Sequence, residues 1–132
     1  MTRTLALALL AFLAAEAAAC GYCVEDKIAS TYDHAVVTRA LAQGHHVVFF
    51  HIEGSPGTAR ELENAASSVP GVDGGSVRLS LPTLTLSVAF DPRRVSLVEL
   101  NTRLDRRLAA RKLSFMPMRI MEEPADLKTV KR

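Results

Sequence analysis

Ser76-Val77-Arg78-Leu79-Ser80-Leu81-Pro82-Thr83-Leu84-Thr85-Leu86-Ser87-Val88-Ala89-Phe90 is the stretch that decides the fold. Val77, Leu79 and Leu81 alternate with Arg78 and Ser80. Beyond Pro82 and Thr83, residues Leu84, Leu86, Val88 and Phe90 alternate with Thr85 and Ser87. Side chains along a strand point to opposite faces with a period of two, so each half reads as a strand with one apolar face and one polar face. A connection as short as Pro82-Thr83 pairs the two strands antiparallel. Alternation this regular predicts a sheet with one face in water.

Working outward, His46 to Ile52 (HVVFFHI) is apolar, β-branched and aromatic, and predicts a buried strand. Thr58 with Glu61 three residues later is a capping-box pattern. It opens a helix that buries Ala59, Leu62, Ala65 and Ala66 and ends near Pro70-Gly71. Asp91-Pro92 closes the second of the alternating strands, and Ser96 with Glu99 repeats the capping pattern. The helix that follows places Leu97, Leu100, Leu104 and Leu108 on one face. Phe115 to Met121 reads as a last strand, and Glu122 to Arg132 as a polar tail. From residue 46 the order is strand, helix, strand, strand, helix, strand. That is a ferredoxin-like α+β arrangement, βαββαβ, with two helices on one face of a four-stranded antiparallel sheet. Ahead of it, Val24 to Gln43 reads as one additional N-terminal helix. Val24, Ile28, Tyr32, Ala35 and Val36 recur at helical spacing, Glu25 and Asp26 suit the positive end of the dipole, and Gly44 is a stop. This helix covers either the open face of the sheet or one of its edges.

Residues 46–121 resemble a heavy-metal-associated domain of the kind found in copper chaperones and metal-transporting ATPases. The residues that carry the resemblance are Val48-Phe49-Phe50-His51-Ile52-Glu53-Gly54, Val69-Pro70-Gly71-Val72, and Val88-Ala89-Phe90-Asp91-Pro92-Arg93-Arg94-Val95-Ser96. The resemblance implies a ferredoxin-like fold, a soft metal ion as cargo and a protein partner that receives it. The chain departs from the family in one place that matters. The family holds its metal with a Cys-x-x-Cys in the loop after the first strand, and the equivalent stretch here, Gly54-Ser55-Pro56-Gly57-Thr58-Ala59-Arg60, has no cysteine. The domain is a degenerate copy at that loop, and the family's ligands are not carried over.

The two cysteines lie elsewhere, in Cys20-Gly21-Tyr22-Cys23. They follow an export-type segment: Arg3, the apolar run Leu5 to Ala15, and Ala17-Ala18-Ala19 as a small-residue cleavage site. The run is shorter than the roughly 20 residues a membrane-spanning helix needs. Residues 1–19 are therefore expected to be a signal peptide, followed by the Cys-x-x-Cys and its helix (20–44), the heavy-metal-associated-like domain (46–121) and the tail (122–132). The protein is expected to be exported, to the periplasm or beyond. Two alternatives remain open: a segment left uncleaved as an anchor, and lipidation of Cys20, which would consume that sulfur. Membrane attachment is expected only in those two cases. Charge is uneven, with four Lys/Arg against seven Asp/Glu over residues 20–90 and eleven against six over 91–132. In an exported protein this basic half does not argue for nucleic acid.

Two thiols at this spacing suit a near-linear Cu(I) site or half of a tetrahedral Zn(II) site, so Cys20 and Cys23 are the candidate metal ligands. A helix N-terminus also favours thiolate. The same pair reads as a structural disulfide, or as a thiol–disulfide oxidoreductase with Leu81-Pro82-Thr83 as a thioredoxin-type proline loop. A third reading is an interaction module that needs no thiol. Among other donors, His34 falls near the middle of the expected first helix, about 16 Å along its axis from Cys23. His45 and His46 are expected to be exposed after the helix stop, and His51 to point away from Phe50 and Ile52. Met116 and Met118 are expected on one face of the last strand and Met121 on the other. No catalytic triad, phosphate loop or carboxylate pair is present in the sequence, so the expectation is a carrier and not an enzyme.

Overall fold

The computed structural model describes residues 22–124. In chain order the elements are α1 (Val24–Thr31), α2 (His34–Ala42), β1 (His46–Glu53), α3 (Ala59–Ser67), β2 (Arg78–Ser80), β3 (Thr85–Phe90), α4 (Leu97–Arg107), a 3₁₀ turn (Ala109–Arg111) and β4 (Ser114–Met121). The four strands form one sheet in the order β2-β3-β1-β4, and every neighbouring pair is antiparallel. This is the ferredoxin-like topology that the order of elements predicts.

The central strand β1 feeds two cores because its side chains alternate. Val48, Phe50 and Ile52 join Leu86, Val88 and Phe90 of β3 on one face, where α3 contributes Leu62 and Ala66 and α4 contributes Leu100 and Leu104. Phe115 of β4 meets Phe50 edge-on with ring centroids 6.1 Å apart. Both expected side-chain N-caps form. Thr58 Oγ1 accepts from the Glu61 backbone N–H at 3.4 Å, and Ser96 Oγ accepts from that of Glu99 at 3.1 Å.

The region 24–43 is two helices where the sequence suggests one. Tyr32 is extended, and Asp33 caps α2 by accepting from the backbone N–H groups of Ala35 and Val36 at 3.0 and 3.2 Å. A short carboxylate that bonds nearby backbone N–H groups competes with a continuous helix, and Ser30 and Thr31 just before it are weak helix formers. Arg78 of β2 holds the other oxygen of Asp33 at 2.9–3.0 Å, so the break is anchored to the sheet.

The second face of the sheet is covered, not wet. Ile28 of α1 and Val36, Val37 and Ala40 of α2 close over Val47, Phe49 and Ala89. All six residues of β3 are buried, including Thr85 and Ser87 on the polar face. Their hydroxyls bond within the protein: Thr85 Oγ1 donates to Thr83 O at 3.2 Å, and Ser87 Oγ donates to Thr31 O at 3.3 Å. A covered polar face is tolerated because these small hydroxyl groups find partners. The turn between β2 and β3 holds Pro82-Thr83 and a little more, as expected. It runs from Leu81 to Leu84, with Leu84 in the left-handed region at φ 50°.

Candidate metal centre

Cys23 is the N-cap residue of α1, extended at φ −71°, ψ 164°, with an exposed side chain. Its thiol donates to Asp26 Oδ2 at 3.1 Å. Its carbonyl accepts the first intrahelical bond, from Lys27 N at 3.0 Å. Cys20 and the export segment 1–19 lie outside the described residues, as does the tail from 125 on.

The helix bearing Cys23 is tied down along its length. Glu25 accepts two bonds from the Arg119 guanidinium of β4, one of them at 3.0 Å, and this partner holds the Glu25 carboxyl below the usual carboxylate range. Lys27 Nζ donates to His51 Nδ1 of β1 at 2.8 Å. Ser30 Oγ meets Thr83 Oγ1 at 2.7 Å. Successive turns of α1 thus contact β4, then β1, then the β2–β3 turn, and Cys23 sits at the β4 end.

That order separates the thiol from the proline-containing turn. Leu81-Pro82-Thr83 meets the C-terminal part of α1, and Ser30 lies about 10 Å along the helix axis from Cys23. Among the described residues no strand leads into Cys23. The loop after β1 has no cysteine, and it is closed against the α4–β4 connection. Gly54 has φ +110°, and a Cβ there would lie 2.8 Å from Lys112 O and 2.9 Å from Leu113 Cδ2.

The histidines do not gather around Cys23. His34 begins α2 and does not lie within the first helix, because Asp33 interrupts that helix; it stays exposed beside Tyr32. His45, expected to be exposed, is largely covered. Its Nδ1 lies 2.6 Å from Asp73 Oδ2 and its Nε2 3.7 Å from Asp91 Oδ2. His46 is partly covered by the edge of Phe90 and lies 3.5 Å from Glu122. His51 does face the helix carrying Cys23, but its Nδ1 is taken by Lys27.

Of the methionines, Met121 departs from the expectation. The register of β4 shifts between Phe49 and Phe50, so Phe49 pairs with Arg119 and Phe50 with Pro117. This one-residue bulge brings Met118 and Met121 together against the second core, while Met116, opposite His51, is half exposed. Among the described residues no three His, Cys, Asp or Glu side chains come together as a metal-holding group. Asp26, which the sequence places only as a favourable charge at the helix start, is the acceptor for the Cys23 thiol. Its three-residue spacing from Cys23 at a helix start was the available signal.

Fold and site together define a ferredoxin-like α+β domain with an exposed thiol at the start of an added helical layer. No protein-family model and no curated protein matches the chain. Among the solved structures similar to it, three each have a TM-score of 0.46. Oxidized MerP from Ralstonia metallidurans CH34 is 21% identical, over 57% of this chain and 99% of that one. A copper binding domain from HMA7, a P-type ATPase, is 17% identical, over 57% and 96%. The N-terminal domain of a potential copper-translocating P-type ATPase from Bacillus subtilis, in the Cu(I)-loaded state, is 17% identical, over 60% and 94%.

Proposed function

We propose that this protein carries or sequesters a soft metal ion, Cu(I) or Zn(II), outside the cytosol, and that Cys20 and Cys23 bind it without catalysing a reaction. The observation that carries the reading is the placement of Cys23. Its thiol is exposed at the start of a helix fixed to the sheet by Glu25–Arg119 and Lys27–His51. Cys20 stands three residues earlier in the chain, the spacing of a Cys-x-x-Cys chelating pair. Two thiolates suffice for near-linear Cu(I). Zn(II) needs further donors, and the Asp26 carboxylate, 3.1 Å from the Cys23 sulfur, is one. An exposed site at the edge of the domain suits transfer of the ion to a partner protein.

The test is native mass spectrometry of the mature protein, purified anaerobically from its own envelope and reloaded with Cu(I) or Zn(II). One metal per chain is expected, with the adduct lost in Cys20→Ser/Cys23→Ser. Unchanged metal stoichiometry in that variant overturns the proposal, and so does a diacylglycerol mass on Cys20. The second reading, thiol–disulfide exchange, is favoured by the same exposed thiol. It requires a Cys20–Cys23 reduction potential between about −120 and −270 mV and no metal adduct.

A further inference from the structure

The layer opposite the thiol carries a separate feature. A groove of about 550 Å³ runs between the end of α3 and the last turns of α4, lined by Ser68, Val69, Pro70, Arg103, Arg106 and Arg107. We infer that this groove binds the phosphomonoester group of a small anionic ligand.

Arg106 and Arg107 stand three and four residues after Arg103, so each neighbours Arg103 on the surface of α4, and all three line the groove. They are not equivalent. Arg103 is fixed, donating from Nη1 to Pro70 O at 2.6 Å and from Nη2 to Glu99 Oε1. Its charge is largely matched by Glu99, and it shapes the wall. Arg106 and Arg107 are exposed and, among the described residues, take part in no ion pair. The nearby acids are already engaged. Asp105 accepts from Asn101 Nδ2 at 3.0 Å and from Phe115 N at 3.1 Å, and Glu61 is held by Arg111 at 2.9 Å.

Helix C-termini carry partial negative charge, which accounts for part of the preference for arginine in the last turn. At the end of α4 part of that charge is already taken up: the Leu108 N–H bonds Leu104 O and Arg106 O, and the Arg111 N–H donates to Leu108 O beyond the helix. Two guanidinium groups are left facing solvent with no protein anion.

That charge selects the ligand class. A phosphomonoester carries about −1.5 to −2 at pH 7 and offers three acceptor oxygens, whereas a carboxylate would leave one arginine unmatched. Guanidinium forks match phosphate oxygens in bidentate geometry. The groove volume falls within the range of small-ligand sites, roughly 300–1,000 Å³. Val69 and Pro70 give it an apolar wall for the organic part of an ester.

The test titrates the full mature chain with inorganic phosphate, glycerol 3-phosphate and acetate by calorimetry. A parallel arm measures co-sedimentation with phosphatidylcholine vesicles, with and without phosphatidic acid. Arg106→Gln/Arg107→Gln is compared with Arg93→Gln/Arg94→Gln, which removes the same charge from a different exposed surface. Phosphate or its ester is expected to bind more tightly than acetate, with a loss of about 10-fold in the first variant and less than about 2-fold in the second. Soluble binding identifies a free phosphate ligand. Arg106/Arg107-dependent binding confined to phosphatidic acid vesicles identifies a lipid headgroup. Either result supports the site. Equal losses in both variants, or no binding in either arm, overturns it. Far-UV circular dichroism checks that both variants remain folded.

Discussion

Phe49→Ala tests the claim that α1 and α2 seal the second face of the sheet. Phe49 is fully buried, and it lies among Ile28, Val36, Val37, Ala40, Val47 and Ala89 rather than in the main core. Truncating a buried phenylalanine to alanine removes transfer energy and leaves a cavity, together about 3–5 kcal/mol. A domain of this size has about 5–15 kcal/mol in total, so the variant should fold but with much of its margin gone. The corresponding fall in melting temperature is on the order of 20 °C. The chain has no tryptophan, so urea and thermal unfolding are followed by far-UV circular dichroism. Val98→Ala is the control, because Val98 is 77% exposed on α4 and its truncation should stay within about 0.5 kcal/mol. Location is tested as well as size. Amide exchange in Phe49→Ala should accelerate at Val36, Val37 and Ala40 more than at Leu62 and Ala66, because α2 loses its packing partner and α3 does not. A loss below about 1 kcal/mol, or uniform acceleration across α2 and α3, would refute the reading that the added helices are a packed layer.

Two other perturbations probe the loop after β1 and the charge that anchors the added helices. Gly54→Ala places a Cβ against Lys112 O at a residue with φ +110°, and should cost roughly 1–3 kcal/mol in urea denaturation; a neutral result would mean the loop after β1 is not closed. Asp33 has a carboxyl held below its ordinary value of 3.8, first by the Val36 backbone N–H and then by Arg78. Its contribution is therefore fully present above pH 3.8 and is lost as the pH falls through the lower folded value. The difference in melting temperature between wild type and Asp33→Asn should be constant near neutrality and shrink below about pH 4. A difference that grows in acid would contradict the ion pair.

Much of the domain was legible because its signals are local. The alternation of residues 77–90, the caps at Thr58 and Ser96 and the leucine spacing of 97–108 each depend on neighbours a few residues apart. Their order then leaves few ways to pair four strands. The candidate site was legible only in part. Cys23 stood out by residue type, but its bond to Asp26 and the ties of Glu25 and Lys27 to β4 and β1 join residues 3 to 94 positions apart.

The sequence by itself determined the ferredoxin-like order of elements, the two capped helices that line the main core, and the absence of cysteine from the loop after β1. Only the tertiary structure decided the rest. The break at Asp33 is anchored to the sheet by Arg78 of a distant strand. The polar face of β3 is buried because α1 and α2 cover it and its hydroxyls find partners, Ser87 on Thr31 O of α1 and Thr85 on Thr83 O of the β2–β3 turn. Met118 and Met121 share a face because β4 bulges against β1. Period and propensity report which side of a strand or helix is apolar; what covers the other side depends on contacts between distant parts of the chain.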